Sequence, residues 1–369
     1  MSLIWKGDFA GLPGKVVLAN PMVCANTAKG DNKLYSDAKG VVPSLDLRFA
    51  SQKNLNDYMT GQNLITFSRP VGANQSPGTY VDENGIIQLS SADTPRFDHD
   101  PTTGESLGFL IEESRTNILL NSATLSAQSV TTSATAYTLS FYGTGTVTLS
   151  GTSTAGPLVG TGANDRATLT FTPTAGALTL TVAGTVSNAQ LEAGSFPTSY
   201  IPTTGTALTR SADVASITGS NFSSWYNQSE GTVFGNYSSF SYGNATTLPT
   251  TAHFTDGTLS NYIRLNSGSA YVVRNFTNTG NVNQSNVTTG GVPASGVSYS
   301  FAVGIALNDM AVYANGLSKF DTTYLVPVVN KIQIGNWFTQ SNTWLNGTIS
   351  RLTYFPERLP DATLQAITA

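Results

Sequence analysis

Residues 96–121 read RFDHDPTTGESLGFLIEESRTNILLN, and this stretch decides the fold. Charge is concentrated here, in a chain of which only 11% is Asp, Glu, Lys or Arg. Asp100, Pro101 and Gly104 supply what a tight reversal needs: an acceptor for backbone N–H groups, a fixed φ and a residue that tolerates positive φ. The stretch therefore predicts a β-hairpin between a heterogeneous N-terminal part and a long part rich in Ser, Thr and Gly.

The composition of the whole chain favours strands. With 369 residues, 40% of them hydrophobic, the chain is long enough for two or three domains with cores of their own. Its 35 glycines and abundant Thr favour extended strands and turns over helices. We therefore predict an all-β protein, in which an N-terminal arm and a β-hairpin meander precede two β-sandwich or jelly-roll domains.

Charge and cysteine content exclude several classes of function. The formal net charge is -4 and no block of Lys and Arg occurs, so binding to nucleic acid is not expected. Cys24 is the only cysteine, which excludes an intrachain disulfide and a cysteine-rich metal site. The first residues lack the features of a signal peptide, and no segment reaches membrane-spanning length. We therefore expect a soluble chain that is not secreted by that route and does not insert into a membrane.

The pattern along the chain divides it into four segments. Residues 1–44 show no period, which is consistent with either a flexible terminus or an arm that attaches to a partner. Residues 45–121 alternate apolar and polar positions from Leu45 to Ala50, and Asn84-Gly85 is a strong hairpin signal, so a compact β unit is expected. Residues 122–205 show short alternating strands separated by Gly and predict a small β-sandwich. Residues 206–369 are rich in large aromatic residues.

The C-terminal end of the chain carries a distinct pattern. Residues 345–355 predict a turn that leads into a strand. Pro360 stands in a first-turn position, and Leu364 and Ile367 are three residues apart, so a short terminal helix is expected to cover an edge or face of a sheet.

Three sequence motifs resemble known families. FDHDP with LIEESRTN, in residues 97–117, closely resembles a motif that recurs in the fibre and spike proteins of tailed bacteriophages. QLEAGSFPTSYIPT (residues 190–203) and TRSAD (residues 209–213) belong to the same pattern, where they close a domain similar to the β-sandwiches of carbohydrate-binding modules. NGTISRL (residues 346–352) and LPDA (residues 359–362) resemble the last strand and helix of concanavalin-A/laminin-G-like jelly rolls. The resemblance covers residues 45–369, and it implies a trimeric phage virion protein displayed on the head or the tail.

His99 is the first candidate for chemistry. It stands between Asp98 and Asp100, and the three together could form an acid–base site or a site for a hard cation such as Ca²⁺. The turn already uses Asp100, however, so we favour a structural role. We predict no metal site and no cofactor.

Glu112 and Glu113, with Asp98 across the hairpin, are a second candidate. Paired carboxylates hydrolyse glycosidic bonds, which is the depolymerase activity of some phage spikes. Adjacent residues of a strand point to opposite faces, however, so Glu112 and Glu113 cannot converge on one bond. Ion pairs with Arg69, Arg96 or Arg115 that fix this junction, or a subunit interface, are the expected role. We name the junction residues Arg96, Asp98, Asp100, Gly104, Glu112, Glu113 and Arg115.

The sequence offers little material for a catalytic site. The Gly-x-Ser-x-Gly spacing occurs at residues 104–108 (GESLG), but it lies inside the predicted β-hairpin and not at a strand-to-helix elbow. No His-Glu-x-x-His motif occurs, and two histidines, His99 and His253, leave little for a catalytic triad. We predict that the chain is not an enzyme.

The aromatic residues of the last segment are the third candidate. Exposed Trp and Tyr rings stack on sugar faces, whereas a sandwich buries alternate aromatic residues in its core. The glycan-binding candidates are Trp225, Tyr226, Tyr242, Trp337 and Trp344.

These patterns and the resemblance together predict a structural virion protein. The expected function is a head or tail fibre or spike on the virion surface that adheres to host-surface polysaccharide. The expected partners are two further copies of the chain in a homotrimer and other virion proteins that contact the N-terminal arm. The alternatives are a capsid decoration protein that binds no receptor and a capsular polysaccharide depolymerase.

Overall fold

The structure, a computed structural model, describes residue 34, residues 37–38 and residues 40–241, 248–268, 271–291, 293–337 and 343–369, with only the backbone of Tyr271. The predicted all-β class is confirmed. The first elements are β1 Leu45–Leu47, α1 Phe49–Gln52, β2 Thr66–Ser68, β3 Gln75–Ser76, β4 Thr79–Val81, β5 Ile87–Leu89, β6 Arg96–His99, β7 Ser106–Ile111 and β8 Arg115–Asn117. The next are β9 Gln128–Thr132, β10 Tyr137–Gly143, β11 Thr146–Gly151, β12 Leu158–Val159, β13 Gly162–Phe171, β14 Gly176–Ala183 and β15 Ser187–Ala193.

The remaining elements follow residue 205. They are β16 Leu208–Arg210, β17 Val214–Thr218, α2 Gly219–Ser223, β18 Glu230–Ser239, β19 Thr250–Thr255, β20 Tyr262–Gly268, β21 Tyr271–Thr279, β22 Val282–Gly290, β23 Tyr299–Ala306, β24 Asp309–Ala314, β25 Leu317–Asp321, β26 Lys331–Ile334, β27 Gly347–Phe355 and α3 Asp361–Ile367.

Two of the sheets form a large β-sandwich. One has the strand order β25-β24-β23-β18-β27-β7-β6, with β1 also paired to β27, and the other has the order β2-β17-β26-β19-β20-β21-β22. Their inner faces enclose one core, to which Val233 and Phe301 come from the first sheet and Phe254 and Ile332 from the second. The outer face of the first sheet is also partly buried, because Phe234 and Phe355 pack with Leu364 of α3 in a further apolar cluster.

Strands from residues 45–121 are integral to this large sandwich. Phe109 of β7 lies opposite Ile349 of β27, β1 also pairs with β27, and β2 pairs with β17. Leu47, Phe49 and Phe109 are buried in the same core as the C-terminal strands. Residues 45–121 therefore enclose no core of their own, in contrast to the compact unit expected from the sequence, because most of their strands are too short to cover an apolar face without the C-terminal half.

The middle of the chain folds into a second, smaller sandwich, as predicted. Its sheets have the strand orders β13-β10-β15 and β12-β11-β14-β9, and Leu139, Phe141 and Leu180 lie in the core between them. The two ends of this unit lie side by side. The N–H of Asn121 donates to the carbonyl of Thr204 at 2.7 Å, and that of Ser122 to Thr203 at 3.2 Å. The small sandwich is thus an insertion into the large one.

Both predicted hairpins are confirmed. β4 and β5 pair around the Asn84-Gly85 turn, and β6 and β7 pair around the turn at residues 100–104. In the second turn Gly104 N–H donates to the Asp100 carbonyl at 2.9 Å, and the Asp100 carboxylate accepts the N–H groups of Thr102 and Thr103. The turn therefore forms as its residue types predict.

The two ends of the chain differ from the sequence expectation in detail. The strand expected at residues 45–50 ends at Leu47, and Phe49 begins α1, which turns this ring into the core. The predicted terminal helix is confirmed as α3. Its Leu364 and Ile367 are buried together with Leu34 and Ala38, while the rest of the predicted arm lies largely outside the described residues.

Candidate functional site

Five charged side chains meet in the interior at the junction that the sequence singled out. Arg96 Nη2 lies 2.8 Å from Glu112 Oε2 and 2.6 Å from Asp213 Oδ2. Arg69 Nη1 lies 2.8 Å from Asp213 Oδ1, and Arg210 Nη2 lies 3.5 Å from Glu112 Oε2. All five side chains are buried. We call Arg69, Arg96, Glu112, Arg210 and Asp213 the ionic cluster.

The ionic cluster also holds the inserted sandwich. Ser199, which follows β15, donates through its N–H and its hydroxyl to the two carboxylate oxygens of Glu112, each at 2.6 Å. Arg96 Nη1 donates to the Ser199 hydroxyl at 2.6 Å, and Asp213 Oδ2 accepts the N–H of Glu112 at 2.9 Å. Buried charges persist in a fold only when they are paired and hydrogen-bonded, as they are here.

Glu112 remains ionised inside this cluster. Burial by itself would raise its pKa, but the guanidinium groups of Arg210 and Arg96 and the hydrogen bonds from Ser199 lower the pKa to about 2. A carboxylate held in this way is a poor proton donor, so Glu112 serves the junction and not acid catalysis.

Glu113 and Arg115 form a second pair beside the cluster. Arg115 Nε lies 2.6 Å from Glu113 Oε1, and the Arg115 guanidinium lies 4.8 Å from the centre of the Phe196 ring in the inserted sandwich. The N–H of Glu113 donates to Asn346 Oδ1 at 2.8 Å, which ties this segment to the start of β27. The pair thus connects the two sandwiches.

Asp98 and His99 both contact the backbone of Val81 in β4. Asp98 Oδ1 accepts the N–H of Val81 at 2.6 Å, and His99 Nδ1 lies 2.9 Å from the Val81 carbonyl. Burial disfavours the charged form of Asp98 and raises its pKa to about 6. With Asp100 engaged in the turn, these three residues hold the hairpins together. Within the described ranges no group of three or more His, Cys, Asp and Glu is placed to hold a metal ion.

Trp225 and Tyr226 belong to the core of the large sandwich. Trp225 is 5% exposed, and its ring lies 4.9 Å from that of Phe222 and 5.1 Å from that of Tyr354, both edge to face. Tyr226 stacks on Phe222 at 4.7 Å, and burial raises its pKa well above the usual value. The expected exposure of Trp225 is therefore wrong, since this aromatic group fills the space between the two sheets at α2.

The other three predicted rings have different surroundings. Trp344 is half-buried against the core, and its Nε1 donates to the Asp213 carbonyl at 3.0 Å. Tyr242 lies outside the described residues. Trp337 follows β26 and lies on the outer face of the seven-stranded sheet, the face opposite the core.

Trp337 is part of a group of rings and cations on that outer face. The Arg264 guanidinium lies 4.3 Å from the centre of the Trp337 ring, and the rings of His253 and Tyr262 lie 6.1 Å and 6.2 Å from it. The Arg274 guanidinium lies 4.6 Å from the centre of the Phe276 ring. We call His253, Tyr262, Arg264, Arg274, Phe276 and Trp337 the Trp337 cluster.

Strand register explains how this cluster forms. Arg264 lies opposite Phe276, and Asn266 lies opposite Arg274, on neighbouring strands β20 and β21. Side chains alternate between the two faces of a strand, so the neighbours of Arg264 along β20, Ile263 and Leu265, point into the core. The cluster has a buried and an open part. Arg264, His253 and Tyr262 are buried, whereas Arg274, Phe276 and Trp337 are partly open to solvent.

The electrostatics of this sheet differ from those of the whole chain. No Asp or Glu occurs in its seven strands as the structure describes them, although the chain carries a net charge of -4. Its cationic side chains are Lys331, Arg264 and Arg274. Burial, and the charges of Arg264 and Lys331, lower the pKa of His253 to about 4, so this ring is neutral at neutral pH. The described strands of this sheet therefore carry cations and no carboxylate.

Sequence reasoning named Trp337 as a candidate but did not name Arg264 and Arg274, which lie beside it in the structure. The signal that could have found them is the alternation in YIRLN (residues 262–266) and RNF (residues 274–276), which places a cation beside an aromatic residue on the polar side of each strand. That these two strands are neighbours in the sheet was not evident from the sequence.

Comparisons with known proteins assign this chain to no family. No family model matches the chain, and no curated protein sequence matches it. Among solved structures, the chain is similar to the CBM40 of the Ruminococcus gnavus IT-sialidase bound to α2,3-sialyllactose, at 18% identity and a TM-score of 0.33 over 39% of this chain and 84% of that one. Domain 4 of AbnA, a GH43 arabinanase of Geobacillus stearothermophilus in complex with arabinotriose, is similar at 15% identity and a TM-score of 0.34 over 43% and 73% of the two chains.

A third solved structure is similar to a comparable degree. The heptameric SAP-like pentraxin of Limulus polyphemus is similar at 14% identity and a TM-score of 0.30, over 38% of this chain and 70% of that one. TM-scores of this size are too low for the ligands or assembly of these proteins to be carried over to this chain. No helix in the described part of the chain is long and apolar enough to cross a membrane.

Proposed function

We propose that this protein binds carbohydrate, and that the Trp337 cluster binds a saccharide that carries a carboxylate. The observation that carries the proposal is the combination of partly open Trp337 and Phe276 rings with Arg274, on a sheet whose strands hold no acidic residue. Aromatic rings stack on the apolar faces of sugars, and a guanidinium pairs with a carboxylate through two parallel hydrogen bonds.

Binding is the activity that these groups support. The carboxylates that the sequence offered for hydrolysis are placed elsewhere: Glu112 is in the ionic cluster and Glu113 is paired with Arg115. The Trp337 cluster has cations and rings but no acid to protonate a leaving group. The proposed role is therefore recognition of a glycan without cleavage.

A glycan array of the full chain tests the proposal. Wild type is expected to bind arrayed glycans that contain uronic or sialic acid, and Trp337→Ala is expected to lose that signal. Phe320→Ala, which removes a ring that is 51% exposed on β25, is the matched control and should retain it. An array on which wild type binds no acidic glycan, or on which Trp337→Ala binds as wild type does, contradicts the proposal.

The proposal also covers the biological setting of the protein. The motifs at residues 97–117 and 190–213 support a fibre or spike on the surface of a phage virion, with residues 1–44 as its attachment arm and glycan adhesion as its role. The same resemblance supports a homotrimer. Mass photometry should then give three times the mass of the chain, and a monomer at all concentrations would contradict the trimer. Phage particles that still carry the protein after deletion of residues 1–44 would contradict the arm.

A further inference from the structure

A cleft lies between the β4–β5 hairpin and β6, and it shares no residue with the Trp337 cluster. Its volume is about 420 Å³, which is within the range of small-ligand sites. The wall includes the rings of Tyr80, Phe97 and His99, and the Lys53 side chain stands at the rim. The cleft therefore combines apolar surface with a ring that can form hydrogen bonds.

His99 is the buried polar group of this cleft. The residue is 5% exposed to solvent. Nδ1 lies 2.9 Å from the Val81 carbonyl, and because a carbonyl only accepts, Nδ1 carries the hydrogen and Nε2 of the neutral ring is an acceptor. Nε2 has no hydrogen-bond partner among the residues that the structure describes. An unpaired buried acceptor costs free energy that a donor on a ligand would recover.

The charges around the cleft limit the ligand. Asp82 already accepts three hydrogen bonds, from the N–H groups of Asn84 and Ile86 and from Gln88 Nε2. Glu83 pairs with Lys53 at 2.9 Å. Because the charges of Glu83 and Lys53 offset each other, the unpaired charge at the cleft is that of Asp82. The cleft therefore repels anions, in contrast to the cationic Trp337 cluster.

We propose that this cleft is a second carbohydrate site, which binds a neutral saccharide of one or two rings with a hydroxyl group donating to His99 Nε2. The Tyr80 and Phe97 rings contact the apolar face of the sugar. The ligand differs in charge from the one proposed for the Trp337 cluster. This proposal stands on the cleft and on His99, independently of the function proposed above.

The chain offers a direct test because it contains two histidines, one at each site. Imidazole ¹H–¹⁵N spectra of the full chain therefore contain two ring systems, which the His99→Asn spectrum assigns. Maltose, lactose and N,N′-diacetylchitobiose are the probes. The expected result is that at least one of them shifts the His99 signals saturably and leaves the His253 signals in place. If none shifts His99, or if only His253 responds, the proposal is overturned.

A variant pair separates binding from folding. In His99→Asn the amide can still donate to the Val81 carbonyl, but the Nε2 acceptor is lost, so affinity for the responding sugar should fall about tenfold with little change in melting temperature. Tyr80→Ala removes the stacking ring and should also weaken binding, which provides a second test should His99→Asn not fold. Wild-type affinity in both variants overturns the proposal.

Discussion

Asp213 forms ion pairs with two arginines that lie more than a hundred residues earlier in the chain. Arg96 and Arg69 bind its two oxygens at 2.6 Å and 2.8 Å, and the N–H of Glu112 adds a third contact at 2.9 Å. Removal of one partner from such a group leaves uncompensated charge in the interior. Sequence reasoning expected Arg69, Arg96 or Arg115 to pair with Glu112 or Glu113. It placed Arg210 and Asp213 in a motif but not in these ion pairs, since nothing local in the sequence indicates which distant residues meet.

Asp213→Asn should therefore destabilise the protein strongly. Removal of one member of a buried ion pair costs about 3–5 kcal/mol. Here Arg69 loses its charged partner, and Arg96 keeps only Glu112. Chemical denaturation followed by tryptophan fluorescence measures the change. The control is Lys53→Ala, which breaks the exposed pair with Glu83 and should leave the transition where it is. Equal effects of the two substitutions would mean that the ionic cluster does not stabilise the fold.

Asp98 should make stability depend on pH in a window of its own. Its pKa is about 6 in the folded protein and near 3.8 in the unfolded chain, so the folded state binds the extra proton between these values. Stability from this group is thus full below pH 4 and is lost as the pH rises to about 6. Glu112 acts in the opposite sense, because its pKa of about 2 makes stability fall as the pH drops below about 4.5.

Asp98→Asn isolates the first effect. Asn can still accept the N–H of Val81, but it does not titrate. Relative to wild type, the variant should gain stability between pH 4 and pH 6, by on the order of 1–3 kcal/mol for a shift of about two pKa units. Urea unfolding at five pH values across this range measures the difference. A difference that stays constant with pH would show that burial of Asp98 does not raise its pKa.

At the scale of elements, Gly108 shows why β7 can lie between β6 and β27. Its φ is +98°, and a Cβ added there would lie 2.3 Å from the Ile349 carbonyl oxygen. The register of β6 and β7 shifts next to this point, between Asp98 and His99. The hairpin itself was predicted from its turn residues, but its pairing with β27 was not, since that contact spans more than two hundred residues.

Gly108→Ala should break this contact. We expect a loss of about 2–5 kcal/mol, which combines the left-handed φ with the clash against the neighbouring strand. Gly61→Ala is the matched control, because its φ is +72° and no atom lies within 4 Å of the added Cβ. It should cost only the conformational part, about 1–2 kcal/mol. Thermal unfolding measures both, and equal losses would contradict close packing of β7 on β27.

The whole molecule is a large sandwich with a small one inserted into it. The sequence predicted the small sandwich because its strands and turns are local signals. It misplaced residues 45–121 because sheet order depends on pairing between distant strands, such as β1 with β27. The same limit explains the site: Trp337 was chosen for its type and its polar neighbours, whereas the arginines beside it come from another part of the sheet.

A fragment of residues 206–369 should not fold by itself. It lacks β1, β2, β6 and β7, and with them Leu47, Phe49 and Phe109 of the shared core. Circular dichroism and limited proteolysis should show an unfolded or aggregated fragment, whereas residues 45–369 should give a cooperative transition. A fragment that melts at the temperature of the longer chain would contradict the shared core.

The central claim is that the Trp337 cluster binds a carboxylated saccharide, and calorimetric titration with trigalacturonic acid tests it most directly. Wild type and His99→Asn should bind with the same affinity. Trp337→Ala and Arg274→Gln should each bind at least about tenfold more weakly. The wild-type affinity should fall as the salt concentration is raised from roughly 50 to roughly 300 mM, because salt screens the attraction between the charges. Absence of binding by wild type, or unchanged affinity in both Trp337→Ala and Arg274→Gln, would contradict the account.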